Sequence, residues 1–92
     1  MRIRGIKKIY YSTHFLESLS KITAQVERDF LKRESLFLKD PFHHSLKTHK
    51  LSGTYQDFYA FWINYRYRIM FKFLNNNGEV IFVNIGTREI YK

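Results

Sequence analysis

The stretch from Tyr65 to Phe73, Tyr-Arg-Tyr-Arg-Ile-Met-Phe-Lys-Phe, limits what this chain can fold into more than any other. Its residue types alternate with a period of two. Tyr65, Tyr67, Ile69, Phe71 and Phe73 fall on one side, and Arg66, Arg68, Met70 and Lys72 on the other. A strand sends successive side chains to opposite faces, so one face is aromatic or aliphatic throughout and is expected to be buried. The other face carries three cations in four positions, and no acidic residue lies between Asp57 and Glu79 to balance them. Such a face is either the solvated side of a half-buried antiparallel sheet or an anion-binding surface, since the planar donor fork of arginine fits phosphate oxygens.

The turn that follows sets a register. Asn75-Asn76-Asn77-Gly78 is a strong turn signal, and a three-residue loop of Asn76, Asn77 and Gly78 puts Gly in the left-handed position. This choice pairs Asn75 with Glu79, Phe73 with Ile81, Phe71 with Val83 and Ile69 with Ile85 on the buried face. On the other face it pairs Lys72 with Phe82, Met70 with Asn84, Arg68 with Gly86 and Arg66 with Arg88. A shift by one residue mixes the two faces. The consistent register gathers Arg66, Arg68 and Arg88 on one open surface beside a gap at Gly86. Like charges without a countercharge are unfavourable, which fits an anion site.

Upstream, Ile6 to Tyr11 reads as a short first strand. Ser12 or Thr13 offers a helix N-cap, with Phe15, Leu19 and Ile22 at helical spacing. Thr23 caps a second helix with apolar positions Val26, Phe30 and Phe37. Asp40-Pro41 ends it, because the residue before Pro avoids helical angles and Pro has no N–H to donate. Thr48 to Gly53 predicts a short strand and turn, and Phe58 to Asn64 another strand. The order is strand, two helices, then three or four strands. That predicts an α+β domain in which an N-terminal strand and a helical hairpin pack on a mainly antiparallel sheet.

At 92 residues the chain predicts one domain, 1–92, and its hydrophobic fraction of 45% excludes a disordered tail. There is no Cys, so a disulfide framework and a Cys-based zinc site are both excluded. The basic start leads into no signal-like apolar core, and no apolar run approaches membrane-spanning length. A cytoplasmic protein with no membrane association is expected. Sixteen Lys and Arg against eight Asp and Glu give a formal charge of +8, which favours an anionic partner: nucleic acid, the ribosome, an anionic membrane or an acidic protein. Adjacent His43 and His44 would point apart in an extended chain, so no metal site is expected there.

The segments Leu46-Lys-Thr-His-Lys-Leu-Ser-Gly53, Tyr67-Arg-Ile-Met-Phe71 and Ile85-Gly-Thr-Arg-Glu89, followed by Tyr91, closely resemble the RelE/ParE toxin superfamily. The likeness spans essentially the whole chain and rests on the order and spacing of the motifs. The Leu, His, Leu-x-Gly pattern is most similar to the YafQ-like branch, and the Ile-Gly-x-Arg-Glu ending to RelE. The resemblance implies the toxin of a type II toxin–antitoxin pair, a ribosome-dependent endoribonuclease. In that chemistry a ribose 2′-OH attacks the adjacent phosphate without metal or cofactor. The implied partners are a cognate acidic antitoxin and the ribosome with mRNA in its A site, the toxin being a monomer or part of a toxin–antitoxin hetero-oligomer. The ParE branch, which poisons DNA gyrase without catalysis, is the alternative.

By the same resemblance Arg68 matches the strand arginine that binds the scissile phosphate. Arg88 matches the second arginine, His49 the histidine of YafQ-like members, and Tyr91 the C-terminal aromatic. Lys47, Lys50, Arg66 and Lys72 are expected to bind RNA. Many relatives end Gly-Thr-His-Asp-Glu-x-Tyr. Here Arg88 replaces the His and the stretch from Gly86 to Tyr91 is one residue shorter. From the residues alone, His49 is either an acid–base group or an exposed strand histidine, Tyr91 either functional or packing, and Trp62 either a base-stacking ring or a cover for the sheet edge.

Overall fold

The computed structural model describes residues 5–91. Its first strand, β1 (Lys8–Tyr11), stops at Ser12 because that residue caps a helix. Ser12 Oγ accepts the Phe15 N–H at 3.0 Å and donates to the Val83 carbonyl at 3.3 Å. α1 (Thr13–Leu19) follows, then α2 (Ala24–Lys39), capped by Thr23 Oγ1 accepting from Val26 N–H at 3.2 Å. Asp40 takes non-helical backbone angles, φ −155 and ψ 89, before Pro41 and ends α2. The remaining strands are β2 (His49–Lys50), β3 (Tyr59–Trp62), β4 (Tyr67–Phe73) and β5 (Glu79–Thr87). Short 3-10 turns occupy His44–Leu46, Gly53–Tyr55 and Arg88–Tyr91. One sheet has the order β1-β5-β4-β3-β2, with β1 parallel to β5 and the other neighbours antiparallel. The α+β architecture is the one the sequence predicts. No helix among the described residues is long and apolar enough to cross a membrane.

Both helices pack on one face of the sheet. Phe15, Phe30 and Phe37 from the helices meet Phe61, Ile69, Phe71, Val80, Phe82 and Ile85 from the strands. Phe37 stacks on Phe61 at 4.7 Å between centroids and meets Phe71 and Phe82 edge-on at 4.9 and 5.5 Å. Each ring so buried stabilises the fold by roughly 1.5–3 kcal/mol relative to exposure.

The register departs from expectation in one half of the hairpin. Arg68 opposes Gly86, Ile69 opposes Ile85 and Met70 opposes Asn84, as predicted. A β-bulge then intervenes, and Phe71, Lys72 and Phe73 oppose Phe82, Ile81 and Val80. An extra residue in one strand reverses its alternation. It turns Phe82 and Val80 into the core in place of Val83 and Ile81. The loop is also one residue longer than predicted, because Leu74 N–H bonds to the Glu79 carbonyl and leaves Asn75 to Gly78 as the turn. Gly78 takes φ +84, and a Cβ there would lie 2.9 Å from the Gly5 carbonyl oxygen.

The central strand begins at Tyr67, not Tyr65. Asn64 Oδ1 accepts the backbone N–H groups of Arg66 and Tyr67 at 2.9 and 2.8 Å. This side-chain turn lifts Tyr65 and Arg66 out of the ladder. Tyr65, expected in the core, is instead 80% exposed, and Arg66 does not pair with Arg88.

The outer face is not open as expected. Leu51, Ala60 and Met70 are buried there, with Tyr55, Phe58, Val83, Ile90 and Tyr91 packed against them. The gap expected at Gly86 is filled: a Cβ at Gly86 would meet Ile90 Cγ2 at 2.6 Å. The Arg88–Tyr91 turn therefore folds back from β5 across the sheet towards β2.

Candidate functional site

Arg68 lies directly opposite Trp62 in the β3–β4 ladder, on the outer face. Its Nη1 donates to the carbonyls of Asn64, Tyr65 and Tyr67 at 3.0, 2.9 and 3.2 Å. Its Cζ lies 4.0 Å from the centre of the Trp62 ring. The residue is only 4% exposed, against the exposed clamp expected from sequence. The cause is local: the turn at Asn64 aims three carbonyls at one point, and a strand residue opposite Trp can reach it. No buried side-chain polar atom among the described residues lacks a hydrogen-bond partner.

Trp62 gathers further groups. Lys47 Nζ lies 5.3 Å from its ring centre, and Tyr65 meets it edge-on at 6.2 Å. Two cations on one indole is a cation–π arrangement that fixes both. Lys47 itself takes a left-handed conformation, φ 52, and closes the His44–Leu46 turn.

That conformation aims the Lys47 carbonyl at His49, whose Nδ1 lies 2.9 Å from it. A carbonyl only accepts, so Nδ1 is the donor in this contact. His49 is exposed and pairs with Ala60 of the outer-face cluster. Its ring stands edge-on to Tyr91, 6.3 Å between centroids. Tyr91 thus reaches His49 despite the shortened ending. His49 and Arg68 share the face two strands and one row apart, a Cα separation on the order of 12 Å from ordinary sheet spacings.

Arg66 and Arg88 meet outside the ladder. Both are exposed, and with Tyr65, Thr87 and Glu89 they line a shallow depression beside the Arg68 turn.

No family model matches the sequence, and no curated protein does. Solved structures do. The RelBE2 toxin–antitoxin complex from Mycobacterium tuberculosis aligns with a TM-score of 0.75 at 10% identity, over 96% of this chain and 95% of that one. The YoeB/ParE toxin from Agrobacterium tumefaciens aligns with a TM-score of 0.74 at 11% identity, over 88% and 98%. The YafQ–DinJ toxin–antitoxin complex of E. coli aligns with a TM-score of 0.64 at 18% identity, over 89% and 92%. The fold is that of the RelE/ParE toxins.

Within this RelE/ParE fold the remaining predicted residues separate. Lys50 opposes Tyr59, whose ring joins the helix-side core, so by alternation Lys50 projects away from the His49 face. Lys72 lies on the outer face at its far end, with Nζ 5.8 Å from the Phe58 ring centre. His43 and His44 do not point apart: their rings stack at 4.4 Å because His44 enters a 3-10 turn instead of extended chain. His43 Nδ1 accepts the Ser45 N–H at 3.2 Å and so serves as a turn cap. Among the described residues no group of three or more His, Cys, Asp or Glu is arranged to hold a metal ion. Sequence reasoning left Trp62 undecided and put Tyr65 in the core. The signal for Tyr65 was Asn64, a residue type that bonds its own backbone two residues on.

Proposed function

We propose that the chain is the toxin of a type II toxin–antitoxin pair and acts as a ribosome-dependent endoribonuclease. The observation that carries this reading is His49. Its exposed ring is anchored through Nδ1 to the Lys47 carbonyl, and Tyr91 stands beside it. Cations and aromatic rings share that face, the combination that single-stranded RNA requires. The fold it shares with the RelBE2 and DinJ–YafQ toxin–antitoxin complexes gives it further support.

In this reading His49 Nε2 takes the proton of a ribose 2′-OH. The 2′-oxygen bonds to phosphorus, the 5′-oxygen leaves with a proton from Tyr91 or water, and a cyclic phosphate remains. Guanidinium groups of Arg68 and Arg88 stabilise the charge that builds on the phosphate, an interaction stronger in the transition state than in the ground state. Lys47, Arg66 and Lys72 hold the backbone, while Lys50, on the other face, adds only to the overall positive charge. A cognate acidic antitoxin covers this basic face in a hetero-oligomer, since charge complementarity speeds association and gives specificity. The setting is the cytoplasm, with the ribosome presenting mRNA in its A site.

A second reading, gyrase inhibition by protein contact, is favoured by one observation: Arg68 is nearly buried and already bonded to three carbonyls. The experiment is mRNA cleavage on programmed ribosomes with excess chelator, mapped by primer extension. Discrete A-site cuts ending in cyclic phosphate support the nuclease. An uncut message together with stalled gyrase supports the second reading.

A further inference from the structure

The most exposed ring on the basic side is not one that the sequence motifs single out. Arg68 is 4% exposed, whereas Tyr65, three residues earlier, is 80% exposed, the highest of any large apolar or aromatic side chain among the described residues. Burying an aromatic ring is favourable, and this ring is left in water. Its position is nevertheless held firmly. The Tyr65 carbonyl accepts from Arg68 Nη1 at 2.9 Å, the Asn64 side chain fixes the turn on both sides of it, and its ring abuts Trp62 edge-on. Tyr65, Arg66, Thr87 and Arg88 line one depression together with Glu89.

We propose that this depression is a nucleotide subsite for single-stranded RNA, in which Tyr65 stacks on a base and Arg66 and Arg88 take the neighbouring phosphate. The inference rests on the RNA reading above and deepens it. An exposed ring flanked by cations is the minimal element of single-strand recognition: every base has a π-face, and the backbone supplies one charge per residue. Arg68 then acts as a positioning residue as well, because its three carbonyl bonds hold the turn that carries Tyr65 and Arg66. The tyrosine hydroxyl plays no part in stacking, so ring identity and not hydroxyl chemistry governs binding.

The test uses the full chain and a five-nucleotide 2′-O-methylated oligoribonucleotide, which cannot be cut, in fluorescence anisotropy at several salt concentrations. Tyr65→Ala is expected to weaken binding about tenfold or more, with Tyr65→Phe and Tyr65→Trp binding like wild type. Arg66→Gln and Arg88→Gln are each expected to lower the slope of log affinity against log salt by about 0.7, a change Tyr65→Ala does not produce. Far-ultraviolet circular dichroism melts of Tyr65→Ala should match wild type, since the ring is exposed. The proposal is overturned if wild type does not bind the oligonucleotide, if Tyr65→Ala binds equally well, or if an abasic oligonucleotide binds as tightly as the normal one. Ribosomal cleavage is scored separately. Tyr65-dependent binding without cleavage sinks the nuclease and keeps the subsite, and cleavage with Tyr65-independent binding does the reverse.

Discussion

On the helix-facing side of the sheet, twelve buried apolar residues among those described interlock, six of them Phe. On the outer side only Leu51, Ala60 and Met70 are buried in the corresponding cluster, under Tyr55, Phe58 and the C-terminal turn. The first face is continuous, and its rings contact one another from α1 to β3. The second is interrupted by Arg68, Trp62 and His49, each held by backbone carbonyls or by another side chain and not by bulk packing. The difference separates two tasks. Stability resides in the face that excludes water, and the other face keeps polar groups in fixed positions at a smaller contribution to stability.

This contrast gives unequal mutational effects. Phe37→Ala removes the ring shared by Phe61, Phe71 and Phe82 and is expected to cost about 3–5 kcal/mol in urea unfolding. Met70→Ala, on the thinner face, should cost about 2 kcal/mol, near the lower end for such truncations. Equal losses at the two positions would break the comparison. Arg68→Ala leaves three carbonyls without their donor and should lose roughly 1.5–3 kcal/mol, the range for bonds to a charged group. Arg68→Lys should not restore it, because an ammonium lacks the flat fork that lies on Trp62. A clamp on an open surface could be removed with the fold intact, but Arg68 is buried and its removal is expected to cost stability.

Gly86→Ala sharpens the picture of the C-terminal turn. The new methyl would lie 2.6 Å from Ile90 Cγ2, and overpacking of this kind costs about 1–3 kcal/mol. Ile90→Ala in the same molecule should recover most of the loss in a double-mutant cycle. Additive losses would mean that Ile90 moves aside freely. The smallest effect is acidic. Hydrogen bonds from Asn64, then Gln25, hold the Asp29 carboxyl below the usual carboxylate range. Its stabilising contribution is therefore full above the unfolded value of ~3.9 and is lost as pH falls through the folded value. Thermal melts from pH 5 downward should show a slightly shallower decline for Asp29→Asn than for wild type.

The helix-facing side was legible because burial imposes period on residue type. Thr23 before Ala24–Lys39, Pro41 after it, and the alternation of Tyr67 to Phe73 each follow from local chemistry. The bulge between Met70 and Phe71 was not legible. Ile81, Phe82 and Val83 are all apolar, so either register puts hydrophobic side chains inward and only three-dimensional fit decides. The outer face was half legible. His49 and Arg68 were visible as motif residues, but the burial of Arg68 depends on where three carbonyls of the 64–67 turn converge. Ile90 closing over Gly86 depends on the chain folding back after β5, which no periodicity announces.

If the outer face performs chemistry while the helix-facing side holds the fold, activity and stability separate at His49. The most direct measurement is cleavage of ribosome-bound mRNA by His49→Ala beside its urea unfolding curve. The predicted result is a rate lower by a factor on the order of 10²–10⁴ with an unfolding midpoint unchanged from wild type. A variant that cuts as fast as wild type would contradict this separation, as would one whose lost activity is matched by lost stability.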